Sequence, residues 1–399
     1  MTEPAIFERT SGSHMRNGTI RVAHVGALVG SSASGVDRTL AGLVTHLDRY
    51  GIRPEVWELS PRYRAISQRQ EGPVRVVHLP AFGRAKSSIS GLPPATRRFI
   101  DERRAEIDVL HLHSVFIPAN VWVAKAAGIP YVLTPHGGYS PEVLRGRNRF
   151  LKTAWMWARE RHHVRGASLL HAVAPRELEQ LRSTFRIDAL LCVPNAIDLP
   201  AEPGPPEGRM RTDRRWIVFL GRLAIGHKGL DTLLEGFASY LKRSRNEHSP
   251  ELIIAGPDIR SGRARLQAMA ASLLPKGTVR FVGPRFGREK EELLRGAGVF
   301  VHTSRWEGMP LAVLEALAMG CPVLLTRATN LGELVEEYGA GAVVEGTPEA
   351  IGQGLTDVLD APADRYLAMC AAARTLATER FSWPAVTEQI AAAYRGILG

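Results

Sequence analysis

Several features that would narrow the chemistry are absent from this chain. No run of eighteen apolar residues occurs, so no membrane-spanning helix is expected. No secretory leader is evident. Cysteine appears only as Cys192, Cys321 and Cys370. These are scattered in apolar surroundings without metal-ligand spacing, read as buried free thiols, and fit a cytoplasmic location. No zinc-finger spacing or aromatic nucleic-acid motif is found, which argues against a nucleic-acid partner. The glycine-rich loop "GALVGSSASG" lacks Gly-x-Gly-x-x-Gly spacing, which counts against a nicotinamide-dependent oxidoreductase.

What is present is a globular composition over 399 residues, enough for two domains of ordinary size. The net charge of +11 suggests an acidic partner: nucleic acid, an anionic membrane surface or phosphorylated small molecules. Much of that charge is arginine, which a high-GC genome explains equally well. "SGSHM" (Ser11 to Met15) resembles an expression-tag scar, and residues 1–15 are set aside.

Along the chain, apolar β-branched runs alternate with helical patterns. "TIRVAHVGAL", "PEVWELS", "VRVVHLP", "DVLHLHS", "IPYVLTPHGG", "ASLLHAVAP" and "LLCVPNAIDL" read as strands of a first α/β domain, 16–199. The proline-rich stretch 200–215 reads as a linker. "WIVFLGRL", "ELIIAGPD", "VRFVGP", "GVFVHTS", "PVLLT" and "GAVVE" supply a second domain, 216–380. The closing "RFSWPAVTEQIAAAYRGIL" reads as a helix with no strand after it. The expected architecture is two doubly wound α/β domains in series.

Within the second domain, "SRWEGMPLAVLEALAMGCPVLLT" (Ser304 to Thr326) reads as turn, buried helix and strand, following the strand "AGVFVHTS". Pro310 suits the first helical position. The amides of Gly308, Met309 and Leu311 are expected to be available to an anion at the helix start. Glu315 lies roughly 7 Å down the axis from Pro310, about a diphosphate-to-ribose distance. That geometry would let Glu315 take a ribose diol while Glu307 faces the group beyond the far phosphate. Taken alone, the pair is better explained by a cap at Glu307 and a half-buried salt bridge at Glu315.

Six stretches in order resemble the group 1 glycosyltransferases, the retaining family 4 of the GT-B fold. "RWEGMPLAVLEALAMGCPVL" resembles that family's E-x7-E signature, and "FLGRLAIGHKGLDTLLEGF" its donor-phosphate motif, with Arg222 and Lys228 in the matching places. "VPNAIDL" resembles its interdomain segment, "SASGVDRTLAGL" its first-domain glycine loop, and "LTPHGG" its sugar-facing histidine, here His136. "FSWPAVTEQIAAAYRGIL" resembles its returning helix. Two departures stand out: one glycine, Gly35 after Ser34, replaces the usual pair, and Pro194-Asn195-Ala196 replaces the usual Pro-Asn-Gly.

The resemblance implies two Rossmann-like domains facing a central cleft, with residues 381–399 crossing back to the first. It implies transfer of a sugar from a UDP- or GDP-linked donor to the hydroxyl of a glycan, glycolipid or small-molecule acceptor, in bacterial polysaccharide, glycolipid or secondary-metabolite glycoside synthesis. Glu307 would hold sugar hydroxyls, Glu315 the ribose diol, and His136 would stabilise the sugar as a polar group rather than a base. The donor loop would include Gly35. No cofactor and no metal are expected. A metal-using transferase would carry Asp-x-Asp, which this sequence lacks, and Arg222 and Lys228 can meet the phosphate charge instead. A non-catalytic sugar-nucleotide-binding protein of the same fold is the nearer alternative.

Two further expectations concern the first domain. His111 and His113, two apart in "DVLHLHS", are expected on opposite faces of a strand, His111 structural and His113 on the acceptor side. The segment "EVLRGRNRFLKTAWMWARERHHVRG" holds seven Arg/Lys and two tryptophans. It fits an interfacial helix at the inner face of an anionic membrane, a pocket wall for a lipid-diphosphate acceptor, or an ordinary basic surface helix with Trp155 packed inside.

Overall fold

The computed structural model describes residues 18–28, 35–83, 90–146, 148–201, 216–244 and 250–399. The tag-like leader, Ser34 and most of the 200–215 linker lie outside the described residues. The chain divides into two compact units, one of Met1–Val193 with Trp383–Gly399, the other of Pro194–Ser382.

The first unit is built on an eight-stranded sheet of β1 (Ile20–Val25), β2 (Ile52–Ser60), β3 (Ser67–Glu71), β4 (Val74–Pro80), β5 (Val109–His113), β6 (Tyr131–Thr134), β7 (Leu169–Ala172) and β8 (Leu190–Cys192). Their spatial order is β3-β4-β2-β1-β5-β6-β7-β8. All pairs are parallel except β3 with β4. The central strands are near-continuous apolar runs because helices cover both faces. Val22, Val56, Val109, Leu110 and Leu112 are all fully buried. β3, "SQRQE", went unread in the sequence because an exposed polar edge strand carries no apolar alternation.

The second unit holds six parallel strands: β9 (Trp216–Leu220), β10 (Glu251–Ala255), β11 (Val279–Gly283), β12 (Ala297–His302), β13 (Val323–Thr326) and β14 (Gly341–Val344). Their order is β11-β10-β9-β12-β13-β14. The strand order reverses between β9 and β12, and a crevice opens at the carboxyl ends of strands at such a switch point.

The boundaries differ from those expected. The chain enters the second unit at Pro194, six residues before the linker, because Asn195 and Ile197 already bond to that unit: Asn195 Nδ2 to Met309 O at 3.4 Å, and Ile197 N to Phe381 O at 2.9 Å. It leaves after Ser382, and the last helix starts at Trp383 instead of 381. That helix packs on the first unit through buried Trp383, Val386, Ile390 and Tyr394. Trp383 stacks on His46, and Tyr50 Oη donates to Pro384 O at 3.2 Å.

Candidate donor and transfer site

Two loops at the carboxyl ends of the neighbouring strands β9 and β12 assemble the cluster in the second unit. After β9 the chain runs through Arg222 into a short helix, Ile225–Lys228, and turns at Gly229 with φ 60°. A Cβ at Gly229 would lie 2.1 Å from Thr303 O, so only glycine lets the two loops touch. Thr303 Oγ1 seals the contact by donating to the carbonyls of Lys228 and Gly229 at 3.0 and 3.1 Å. Lys228 is thereby fixed, 8% exposed, against the loop that carries Glu307.

Glu307 Oε1 accepts from Lys228 Nζ, from Ser304 Oγ at 2.8 Å and from His302 Nε2 at 3.2 Å. Burial alone would raise the Glu307 carboxyl, but the His302 hydrogen bond and the Lys228 charge outweigh it, and the group is held well below the ordinary carboxylate range. It is ionised at neutral pH. His302 and His227 are both lowered, chiefly by burial, and are neutral there. His227 Nε2 donates to Trp306 O at 2.9 Å, and Asn330 Nδ2 to Glu307 O at 2.7 Å, which pins the backbone on both sides of the carboxylate.

The helix beyond begins at Leu311, so Pro310 is its N-cap and not its first helical residue. Pro310 has ψ 112°, an extended value that lets its carbonyl accept from Val313 N at 3.0 Å while its own backbone stays outside the helix. Among the described residues no protein acceptor meets the amides of Gly308, Met309 or Leu311. Arg222 is exposed and meets no carboxylate among the described residues. Glu315 is largely buried and pairs with Lys290 Nζ at 2.8 Å, as the salt-bridge reading of that residue had it. Gly35 is the exposed first residue of the helix Gly35–His46, in the first unit.

The sequence reading missed His302, Ser304, His227, Asn330 and Lys290. The stretch "HTSRWE" did carry a signal, three polar residues at the end of a wholly buried strand.

In the first unit five histidines cluster toward the carboxyl ends of parallel strands: His24 on β1, His111 and His113 on β5, His136 after β6 and His171 on β7. His111 and His113 do not face opposite sides. Their rings stack with centroids 4.3 Å apart. Side chains alternate along a strand, so residues two apart share a face.

The hydrogen-bond directions follow from one carbonyl. Val193 O can only accept, so His171 donates through Nε2 at 2.7 Å. Burial lowers His171 to about 4 and His111 well below its ordinary value, so both are neutral. The bare His171 Nδ1 therefore accepts from Thr134 Oγ1 at 2.9 Å. Thr134 in turn accepts from His111 Nε2, and Tyr394 Oη donates to His111 Nδ1, both at 2.6 Å. The chain ties the returning helix to β5, β6 and β7.

His113 is buried as well. Its nitrogens are taken by His136 Nε2 at 3.2 Å and His24 Nδ1 at 3.1 Å, so it offers no acceptor-facing surface of its own. The half-buried ring is His136, held at φ 51° in the turn after β6. The buried Glu177 carboxylate straps this turn by accepting from Gly137 N at 2.6 Å and Val173 N at 2.9 Å. Nitrogens of His24, His111 and His113 lie within 4.8 Å of one another, a spacing a metal could use. The hydrogen bonds just described direct three of those six nitrogens elsewhere, to Tyr394, Thr134 and His136.

Comparison with known proteins places this geometry. The family model "Glycosyl transferases group 1" matches residues 205–375, and "Glycosyltransferase Family 4" matches residues 33–200. The chain belongs to the group 1 glycosyltransferases. A GDP-mannose-dependent alpha-mannosyltransferase of Mycobacterium tuberculosis is 27% identical over 95% of this chain and 97% of that protein. A GDP-mannose:cellobiosyl-diphosphopolyprenol alpha-mannosyltransferase of Komagataeibacter xylinus is 25% identical over 96% and 94%. Among solved structures, the sucrose-phosphate synthase of Thermosynechococcus elongatus superposes with a TM-score of 0.73 at 19% identity, covering 94% of this chain and 98% of that one. A glycosyltransferase of Rickettsia africae gives 0.71 at 17% identity, covering 95% and 99%.

The fold is therefore GT-B, with its two α/β units, and the activity is nucleotide-sugar-dependent sugar transfer in bacterial glycan synthesis. For this glycosyltransferase the E-x7-E glutamates are now placed: Glu307 in the Lys228 cluster, Glu315 down the helix beside Lys290. Among the described residues no helix is long and apolar enough to cross a membrane.

Proposed function

We propose that this glycosyltransferase moves a mannosyl group from GDP-mannose, with retention of configuration and without a metal, to a hydroxyl of a lipid-linked glycan acceptor. The observation that carries the reading is the Lys228–Glu307 cluster beside a helix start with three unpartnered amides. A diphosphate at that start would meet those amides, the Lys228 ammonium and the exposed Arg222 guanidinium. These are fixed positive groups where leaving-group charge develops. Glu315 would take the ribose diol, exchanging or sharing its Lys290 contact. Gly35 would let the first-unit loop approach the donor closely. His136 would serve transfer as a neutral polar group, its pKa lowered by burial to about 3, which suits a hydrogen-bonding partner of the sugar and not a proton-taking base. In the step itself the C1–phosphate bond breaks, the acceptor oxygen bonds C1 from the same face, and the acceptor proton passes to the departing phosphate oxygen.

The donor assignment is drawn from the two full-length relatives, whose names specify GDP-mannose. The acceptor assignment rests on the first unit's surface. Phe150, Leu151 and Trp157 are about 70% exposed or more within eight residues. Arg149 and Arg161 lie over the Phe150 and Trp157 rings. Apolar side chains among cations suit the interface of an anionic membrane, which supports a peripheral location at its inner face.

The test is turnover on a panel of GDP- and UDP-sugars with a polyprenyl-diphosphate glycan acceptor, in EDTA, with and without vesicles containing anionic lipid. GDP-mannose should be turned over in EDTA, and the protein should sediment with anionic vesicles but not with zwitterionic ones. Activity abolished by EDTA and restored by magnesium or manganese would sink the metal-free site. Binding of a nucleotide sugar without any turnover would favour the non-catalytic alternative.

A further inference from the structure

The Glu307 carboxylate is held through one oxygen. Lys228, Ser304 and His302 all converge on Oε1, and among the described residues no protein group meets Oε2. A carboxylate only accepts, so the His302 proton sits on Nε2. Ser304 spends its one hydroxyl proton on Oε1, so its oxygen, 3.1 Å from His302 Nε2, accepts from that same N–H. His302 Nδ1 is then bare, and it is buried with no partner among the described residues. The ring is near-parallel to those of Phe219 and Phe300, with centroids 6.0 and 6.3 Å away. An apolar side chain would pack there without leaving a polar atom unmatched. Within this pocket the hydrogen bonds to Glu307 and Ser304 are what the imidazole adds.

The three donors on Oε1 differ in kind. Lys228 is a cation with three protons and can turn to a phosphate. His302 and Ser304 are neutral, and a diphosphate does not compete for them with the same force. We propose that His302 and Ser304 are positioning residues: they hold the Glu307 carboxylate in place when Lys228 engages the donor diphosphate, keeping Oε2 free for hydroxyls of the transferred sugar. This rests on the donor-site reading above. It adds a division of labour in which the cation is exchangeable and the two neutral donors are not.

The experiment uses the full chain. His302→Phe, His302→Gln and Ser304→Ala are compared with wild type for kcat, donor KM and GDP affinity, and the tautomer of His302 is read by 15N NMR of histidine-labelled protein. Wild type should show the proton on Nε2. His302→Phe should lower kcat about 10- to 100-fold, the weight of a hydrogen bond to a charged group, with GDP affinity within about twofold. His302→Gln, which keeps an N–H donor, should recover most of that loss, and Ser304→Ala should fall between. Transfer by His302→Phe at the wild-type rate, no advantage of Gln over Phe, or a proton on Nδ1 would each overturn the proposal. The wild-type tautomer decides the matter even if the Phe variant does not fold. A wild-type protein that neither binds GDP nor transfers would instead defeat the donor-site reading, and the NMR result would still judge the clamp.

Discussion

Lys228 and Glu307 are joined in the free protein, yet the two are assigned to different parts of one donor. Their variants should separate accordingly. On the proposed pose Lys228→Ala would remove a charge-assisted contact to the diphosphate, worth roughly 1.5–3 kcal/mol, and should weaken GDP binding by about ten- to a hundredfold. Glu315→Gln should also raise the GDP dissociation constant, since a ribose diol prefers an ionised acceptor. Glu307→Gln should spare GDP and reduce transfer, because the proposed donor pose gives its open oxygen to the sugar and not to the nucleotide. Calorimetry with GDP beside initial rates checks all three. Weak GDP binding by Glu307→Gln with intact binding by Glu315→Gln would mean the two glutamates have been assigned the wrong way round. The glutamates, Lys228 and Arg222 were singled out in the sequence because they stand in a motif, and the structure brings Lys228 and Glu307 together. His302 and Ser304 were not, because their importance depends on where a carboxylate five or three residues on folds back, and spacing alone does not show that.

Elements were read more reliably than residues. Every buried parallel strand announced itself as a short apolar run, since a strand covered on both faces has no alternation to blur it. The exposed β3 escaped for the opposite reason, and the two-histidine run of β5 was placed on the wrong faces through a misapplied period. The returning helix was legible as an element, but its anchor was not. The anchor is a glycine on another helix: a Cβ at Gly42 would lie 1.9 Å from the Trp383 ring. Gly42→Ala in a helix interior gains about 0.5–1 kcal/mol from reduced backbone freedom. Against that, forcing a methyl into the buried Trp383 ring costs about 1–3 kcal/mol. The steric cost exceeds the gain, so Gly42→Ala should lower the denaturant midpoint and speed amide exchange in residues 383–398. A stabilised protein with unchanged exchange there would show that Trp383 is not the anchor.

The two units should answer acid differently. In the first, His24, His111, His113, His163 and His171 are each under 10% exposed. Burial lowers His24 to about 3 and His163 and His171 to about 4, and places His111 and His113 well below their ordinary value. In the second unit only His227 and His302 are lowered among the described histidines. The sign follows from which state binds the proton. Above pH 6.5 neither folded nor unfolded rings are charged, and these groups leave stability unchanged. Below 6.5 the unfolded rings take up protons while the folded ones stay neutral, so stability falls with pH until the folded value near 4 is reached. At pH 5 each of His24, His163 and His171 contributes about 2 kcal/mol of loss. Three such rings already enter the 5–15 kcal/mol that holds a domain together, and His111 and His113 act in the same direction. Lowering the pH from 7 to 5 should therefore speed hydrogen exchange in β1, β5, β6 and β7 far more than in β9 and β12. Exchange should be followed peptide by peptide, because the two units need not unfold together. Equal acceleration in both sheets would mean that the first unit's imidazoles already carry protons when folded, and the fixed hydrogen-bond directions running from Val193 to Tyr394 would have to be abandoned with them.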